Sequence, residues 1–381
     1  MERVKLGDIF TIKKGKKVIE DDNGKFNYVT IENLHSKKYR QKTNEVGIQV
    51  NESDILIAWD GANAGLVGFN LSGTIGSTLA QLKVNSSFKD KINPAFVYQY
   101  LDSKFDLIKS KRTGATIPHV NGAELRSMQI PIPTLDIQKA IATKLDKAQE
   151  IITYNQQLIE KYDQLTQSLF IDMFGDPVRN EKGFVLEKLE KFYISQKEGT
   201  KCGPFGGALK KEEFVESGIP VWNMDNISKN GKLVDNINLW ITEEKYDALS
   251  SYSVINNDII ISRAGTVGKM CVVNTLFDNS IISTNLIRLR LNKDLLLPIY
   301  FVSLMTYFKE KISRLKTGSE GAFTHMNTGV LNNIIFPYPP ITLQNQFAER
   351  IEKIEAQKQM AQESLAKSEE LFQSLLQESF K

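Results

Sequence analysis

Apolar residues follow two different rhythms along this chain. Short β-branched or aromatic runs (YVTI at 28–31, DILIAW at 54–59, DIIIS at 258–262, NLIRLRL at 285–291) sit between Gly, Asn and Asp turns and read as strands. Two other stretches hold apolar residues at alternating spacings of three and four. The first runs through Ile141, Leu145, Ala148, Ile152, Ile159, Tyr162, Leu169 and Met173; the second through Phe347, Ile351, Ile354, Ala361, Leu365, Phe372 and Leu375. No proline or glycine falls between Asp136 and Phe174, or after Thr342. This 3.5-residue period is a coiled-coil seam, and each helix would span roughly 57 Å. Asn155, Lys358 and Ser368 interrupt the seam as register-setting polar positions. The segments IPIPTLDIQ (130–138) and FPYPPITLQ (336–344) precede the helices; their prolines end the strand region, and Thr134 or Asp136, and Thr342, are the expected helix caps.

The chain repeats itself over about half its length. NESDILIAWDG at 51–61 returns as NNDIIISRAG at 256–265, Ser77-Thr78 as Ser283-Thr284, Pro94 as Pro298, and KRTGATIPHVN at 111–121 as LKTGSEGAFTHMN at 315–327. From His119 and His325 onward the copies keep a constant offset of 206 residues, to Phe174 and Phe380. A duplicated unit follows. The predicted fold is α+β: two similar mixed, strand-rich domains with helices, 1–135 and 175–340, each followed by a long helix, 136–174 and 341–381, and the two helices pair as an antiparallel coiled coil.

Length and composition narrow the class. With 381 residues, 41% hydrophobic and 24% charged, the chain has the profile of a globular protein with more than one domain. It has no apolar run of membrane-spanning length and no apolar signal-peptide core, and its two cysteines, Cys202 and Cys271, form neither a disulfide framework nor a metal spacing. A reducing cytoplasm is the expected location. The net charge of +3 looks unsuited to a polyanion partner, but its distribution says otherwise. Residues 1–135 carry +5, 136–174 carry −2, 175–340 carry +2 and 341–381 carry −2. In the first domain the cations cluster as KKGKK (13–17), KKYR (37–40) and KSKR (109–112). Such loops suit phosphate contacts, although a lysine-rich loop alone also fits a solvated surface.

Catalytic patterns are missing from the sequence. Gly265-Thr-Val-Gly268-Lys269 lacks the spacing of a phosphate loop, PYPP at 337–340 has the wrong first residue for an amino-methyltransferase motif, and no Ser-His-Asp set, HExxH or paired-Cys zinc pattern occurs. The chain is therefore expected not to be an enzyme and to bind no cofactor or metal.

The repeat, GATIPHVN at 114–121, IPIPTLDIQKAIATKLD at 130–146, LFIDMFGDP at 169–177, GPFGGALKKEEFVESGIPV at 203–221 and FPYPPITLQNQFAERIEKI at 336–354 resemble the specificity (S) subunit of type I restriction-modification systems. The likeness runs over nearly the whole chain, and the Pro-x-Pro-x-x-x-x-Gln segment before each helix is its most diagnostic element. The second copy departs from the family's Gly-Thr-rich loop at 317–325. The resemblance implies a non-catalytic adaptor whose two target recognition domains read two half-sites of double-stranded DNA. Its helices fix the spacing and dock two methyltransferase (M) subunits that bind S-adenosylmethionine; restriction (R) subunits add ATP-driven translocation and cleavage. Both cofactors would sit on the partners. Two different domains imply an asymmetric bipartite target, with half-sites about one helical turn apart. The competing class is a duplicated coiled-coil scaffold that organises protein partners without reading DNA.

Candidate DNA contacts in the first domain are Lys13, Lys14, Lys16 and Lys17 for phosphates, with Lys111, Arg112, Thr113 and His119 as a loop near the bases and Asn63 as a further reader. In the second they are Lys201, Lys210, Lys211, Arg263, Lys269, Lys316, Thr317 and His325. Arg263 stands where the first copy has Trp59 and could read guanine or form a turn-stabilising ion pair. Asn121, Asn327, Asp54 and Asp258 read as turn or cap residues, and Trp59, Trp222 and Trp240 as packing. The seam is assigned to Leu145, Ile152, Ile159, Tyr162, Leu169, Ile351, Ile354, Leu365, Phe372 and Leu375.

Overall fold

The computed structural model describes residues 2–228, 231–263, 268–308 and 327–380, and the helical backbone of 309–314. It divides into two compact units, residues 1–157 with 361–381, and residues 158–360. Each unit therefore holds one strand-rich domain and a length of both long helices.

In the first unit, Ile55–Ala58 lies inside an antiparallel sheet ordered Phe10–Lys14, Leu79–Val84, Ile55–Ala58, Val67–Gly68. All four of its residues are buried because the strand separates two cores. The two-residue period sends Ile55 and Ile57 into one core and Leu56 and Ala58 into the other. The second unit repeats the device: Ile259 and Ile261 enter one core and Ile260 the other, with Ile259–Ser262 between Leu286–Leu289 and Met270–Val272. A smaller sheet beside each contains one parallel pair, Phe26–Val29 with Gly73–Ile75 and Ile219–Trp222 with Ile281–Ile282. The run at 28–31 is strand only to Val29, since Thr30 enters a turn.

Backbone hydrogen bonds fix the repeat register. Trp59 N–H donates to the Thr78 carbonyl at 2.7 Å and Arg263 N–H to the Asn285 carbonyl at 3.0 Å. Asn285, not Thr284, thus occupies the place of Thr78, one residue away from the pairing expected from sequence. Trp59 and Arg263 do match.

Both long helices, Leu135–Phe174 and Ile341–Ser379, begin at the proline-rich segment, in each case the inner strand of a two-stranded ribbon, Glu2–Lys5 with Gln129–Ile132 and Val185–Lys188 with Ile335–Tyr338. Thr134 directly precedes the first helix, whereas Asp136 and Thr342 fall inside the first turn rather than capping it. Each start is also held by a glutamine. Gln138, fully buried, accepts from Asn93 N–H at 2.8 Å and donates to the carbonyls of Lys91 (2.8 Å) and Pro133 (2.9 Å). Gln344, also fully buried, accepts from Leu297 N–H at 2.9 Å and donates to Leu295 (3.3 Å) and Pro339 (2.9 Å). Each amide ties a helix start to the loop that opens the domain's helix at Pro94–Ser103 or Pro298–Arg314.

The helices pack together, antiparallel. In the first unit Leu145 and Ile152 share a core with Phe372 and Leu375, with Leu365 against it; in the second, Leu169 and Ile354 pack on the core that holds Ile351. Aromatic residues lock the helix ends into the domains. Phe380 meets Phe96 and Tyr100 with centroids 5.4 Å apart, and Phe174, its repeat counterpart, meets Tyr300 at 4.8 Å and Phe347 at 5.2 Å. The middle of the seam is more polar. Ile159 and Tyr162 are half-buried and join neither main core; Asn155 Nδ2 donates to Ser364 Oγ at 3.1 Å, and buried Lys358 pairs with Asp163. Ser368 differs from expectation: its hydroxyl bonds the Ser364 carbonyl of its own helix.

Gln138→Ala would orphan a buried N–H and two buried carbonyls, and should cost about 2–3 kcal/mol of stability by denaturant unfolding. The thiols should also differ. Burial pushes Cys271 up to about 12, so in the native protein only the partly exposed Cys202 should react readily with a thiol reagent at neutral pH.

Candidate nucleic-acid interface

The lysine cluster at 13–17 turns on a glycine for a steric reason. A Cβ at Gly15 would lie 2.1 Å from the Gly76 carbonyl oxygen, so the chain crosses the 76–78 turn where no side chain fits. Gly203 is placed alike: its Cβ would lie 1.9 Å from the Ser283 oxygen, and its N–H donates to Leu286 as Gly15 N–H does to Leu79, both at 2.9 Å. Lys13-Lys14-Gly15 and Lys201-Cys202-Gly203 are therefore equivalent.

Next to this crossing a second loop docks. Thr113 and His119 exchange backbone hydrogen bonds at 3.0 and 2.8 Å, closing a short hairpin whose Pro118 carbonyl receives Gly61 N–H and whose neighbour Val120 donates to Trp59. His119 also bridges to Asp60, and Asp60 forms an ion pair with Lys14 at 2.6 Å. Lys14, Asn63, Thr113 and His119 are thus brought to one surface of the first unit.

Three of the candidate cations of this domain are already engaged. Lys14 pairs with Asp60, and Lys111 pairs with Glu124 at 2.5 Å. Arg112 turns inward: Nη1 donates to the Ala62 carbonyl at 2.9 Å, while Nε and Nη2 are buried without a hydrogen-bond partner among the described residues. Its guanidinium braces the 59–63 turn from behind. Lys13, Lys16 and Lys17 are exposed and have no ion pair among the described residues.

The second unit gathers a different set. Arg263 stacks its guanidinium over exposed Phe205, 4.8 Å from the ring centre, and its Nη1 is buried without a hydrogen-bond partner among the described residues. No ion pair to Arg263 appears among them. Lys201 lies over the Tyr252 ring at 5.0 Å, and Lys269 is half-buried with its N–H on Ser262 Oγ at 3.1 Å. Lys210 and Lys211 are exposed. Glu213 accepts from Lys245 Nζ and Lys210 N–H, which hold its carboxyl below the usual range. Lys316, Thr317 and His325 lie outside the described residues.

The turn and cap residues stand as read. Asn121 Oδ1 accepts from Ala123 and Glu124, Asn327 Oδ1 from Val330, Asp54 from Asn51 N–H and Asp258 from Ile255 N–H. Trp222 is fully buried, Trp59 packs on the first core, and Trp240 meets Phe277 edge-on at 5.7 Å.

One matched pair escaped the sequence reading. Asn33, buried, accepts from Thr30 N–H at 2.6 Å and donates to the Lys38 carbonyl at 2.6 Å. Asn226, buried, accepts from Asn223 N–H at 2.9 Å and donates to Val234 at 2.9 Å. The signal was Thr-Ile-Glu-Asn at 30–33 against Asn-Met-Asp-Asn at 223–226, at an offset of 193 rather than 206.

Among the described residues no group of His, Cys, Asp and Glu could hold a metal ion, and no helix is long and apolar enough to cross a membrane. A family model described as "Type I restriction modification DNA specificity domain" matches residues 1–163 and 205–370. The MjaVIII specificity subunit of Methanocaldococcus jannaschii is 27% identical over 378 residues, 93% of this chain and 86% of that protein. The EcoBI specificity subunit of Escherichia coli is 20% identical over 357 residues, 88% of this chain and 74% of that protein. The fold is that of the S subunit solved from M. genitalium, with TM-score 0.66, 17% identity and coverage of 100% of this chain and 96% of that one. A chain from a structure concerning assembly and conformational transition of a type I system aligns at TM-score 0.57, with 18% identity, covering 100% and 97%.

If the exposed lysines neutralise phosphates, Lys16→Ala and Lys17→Ala should each lower the slope of log affinity against log salt by about 0.9. Lys111, already paired with Glu124, is not free to neutralise a phosphate, so Lys111→Ala should change that slope less. Fluorescence anisotropy with duplex DNA over a salt series measures both.

Proposed function

Since the chain belongs to the type I restriction-modification DNA specificity family, we propose that it is the subunit through which such a complex reads an asymmetric, bipartite DNA target. The observation that carries this reading is the pairing of the family match with the duplication. The first matched block contains one strand-rich domain, the second most of the other, and each includes the start of one long helix. One block per half-site is the simplest use of that arrangement.

The chain is a specificity subunit rather than a catalytic one, and its relatives carry that name. In the proposed division of labour, residues 1–135 and 175–340 are the two target recognition domains. Lys13, Lys16 and Lys17 in the first, with Lys210 and Lys211 in the second, meet phosphates and set position, while the elements carrying Asn63, His119 and Arg263 face base edges. Arg263 is suited to guanine, because a planar guanidinium held over an aromatic face keeps its fork oriented. Trp59 in the matched place packs on the core, so the two domains read different sequences through one scaffold. Two methyltransferase subunits would dock on the helices 136–174 and 341–381 and bring S-adenosylmethionine, with restriction subunits adding ATP-driven cleavage. A cytoplasmic complex on double-stranded DNA accommodates all of these partners.

Long-read methylome sequencing of cells that carry this chain and its methyltransferase subunit should return modified adenines in two unequal half-sites separated by a spacer of any sequence. A single continuous palindrome would refute the bipartite reading. Loss of all salt dependence in duplex binding would favour a protein-organising scaffold.

A further inference from the structure

The geometry points to Glu32 and Asp225 as base-reading carboxylates, one in each domain, each accepting a hydrogen bond from the exocyclic amino group of a cytosine in the major groove. This inference rests on the proposed DNA-recognition reading and adds residues and a base to it.

The two carboxylates occupy one place in the repeat. Each directly precedes the buried asparagine that pins its turn, Asn33 at 3% and Asn226 at 1% exposure. In both copies that asparagine accepts from the N–H three residues earlier and donates to a carbonyl further along the chain. The turn is pinned by the same pair of hydrogen bonds in both domains, and an acid leaves it in both. Acids beside the other candidate contacts are engaged: Asp60 by Lys14, Glu124 by Lys111, Glu213 by Lys245. Glu32 and Asp225 are exposed and have no side-chain partner among the described residues.

In the second domain the surroundings resemble a reading pocket. Asp225 lines a cavity of about 320 Å³ together with Lys211, Thr284 and Asn285, over an apolar floor that includes Phe214. Asn285 is the residue whose carbonyl receives Arg263 N–H, so the cavity adjoins the Arg263 element. In the first domain the equivalent backbone, Gly76 to Thr78, is the turn crossed by the lysine cluster.

An unpaired carboxylate facing a polyanion is unfavourable unless it accepts a hydrogen bond from the DNA. An ionised carboxylate can only accept, so its target must be an amino group. Adenine N6 lies beside the N7 acceptor, which repels a carboxylate, whereas the cytosine edge presents N4 alone in the major groove. Cytosine is therefore the favoured base.

The test is binding-site selection from randomised duplexes, using the full chain assembled with its methyltransferase subunits. Asp225→Ala should lower discrimination at one position of one half-site by about tenfold or more and leave the other half-site untouched. Glu32→Ala should do the reverse, and Asp225→Asn should shift the preference from cytosine to adenine, since a carboxamide pairs with adenine N6 and N7. Unchanged base preferences with tighter binding overall would mean that the acids merely repel DNA, and the inference would fail while DNA reading stood. Wild-type protein that selects no sequence at all would overturn the DNA-recognition reading, and this inference with it.

Discussion

A fully buried carboxamide at the start of each long helix holds the rest of this molecule in place. Gln138 and Gln344 each satisfy one backbone N–H and two backbone carbonyls that belong to two different pieces of chain, the loop ahead of the domain's helix and the proline-rich segment. Both side chains are fully buried, so the hydrogen bonds act at low dielectric and fix direction as well as energy. A hydroxyl cap would have satisfied the helix alone. The longer amide reaches the loop ahead of Pro94 or Pro298, so helix and domain share one joint. The preceding prolines deny that segment any alternative as helix.

On this repeated frame the two copies carry different chemistry. The place of Gln81, which donates to Asp54 at 2.8 Å, is taken by Arg288, whose guanidinium bonds Ser253 and Glu198 at 2.8 and 2.9 Å. Desolvation pulls Arg288 below the ordinary arginine range and its neighbour Arg290 adds repulsion, while Asp258 and Glu198 oppose both. Arg290 in turn takes the buried Asp258 in a two-point contact at 2.8 and 2.7 Å. The ribbons differ too. Glu2, Arg3 and Gln129 are exposed in one unit where Val185, Leu186 and Ile335 are exposed in the other. The frame is maintained by backbone bonds and glycines, which leaves side chains free to diverge.

What the sequence disclosed follows from which forces act locally. The long helices were legible because a 3.5-residue period without Pro or Gly admits few other solutions, and the asparagine caps were legible because their bonds close within three residues. Features that depend on distant partners were not. Nothing near Arg112 in sequence indicates that its guanidinium lies beneath Ala62, or that Lys14 and Lys111 are already paired. Glu32 and Asp225 were hidden by loops of unequal length, which shift the offset between copies from 188 at Gly15 through 193 at Thr30 to 207 at Thr78. Ser368 shows the limit of pattern reading from the other side: a polar seam residue can satisfy its own helix as easily as its neighbour's.

The two units differ in how they are cut from the chain. Residues 158–360 form one uninterrupted stretch, whereas the first unit needs both 1–157 and 361–381. Phe372, Leu375 and Phe380 belong to the same core as Leu6 and Phe96. During synthesis the first domain is made early, yet its core stays open on one side until more than two hundred further residues have left the ribosome. The second unit can close as soon as its own segment emerges. The domain translated first is then the last to be completed, and its unfinished apolar wall is what a chaperone would meet.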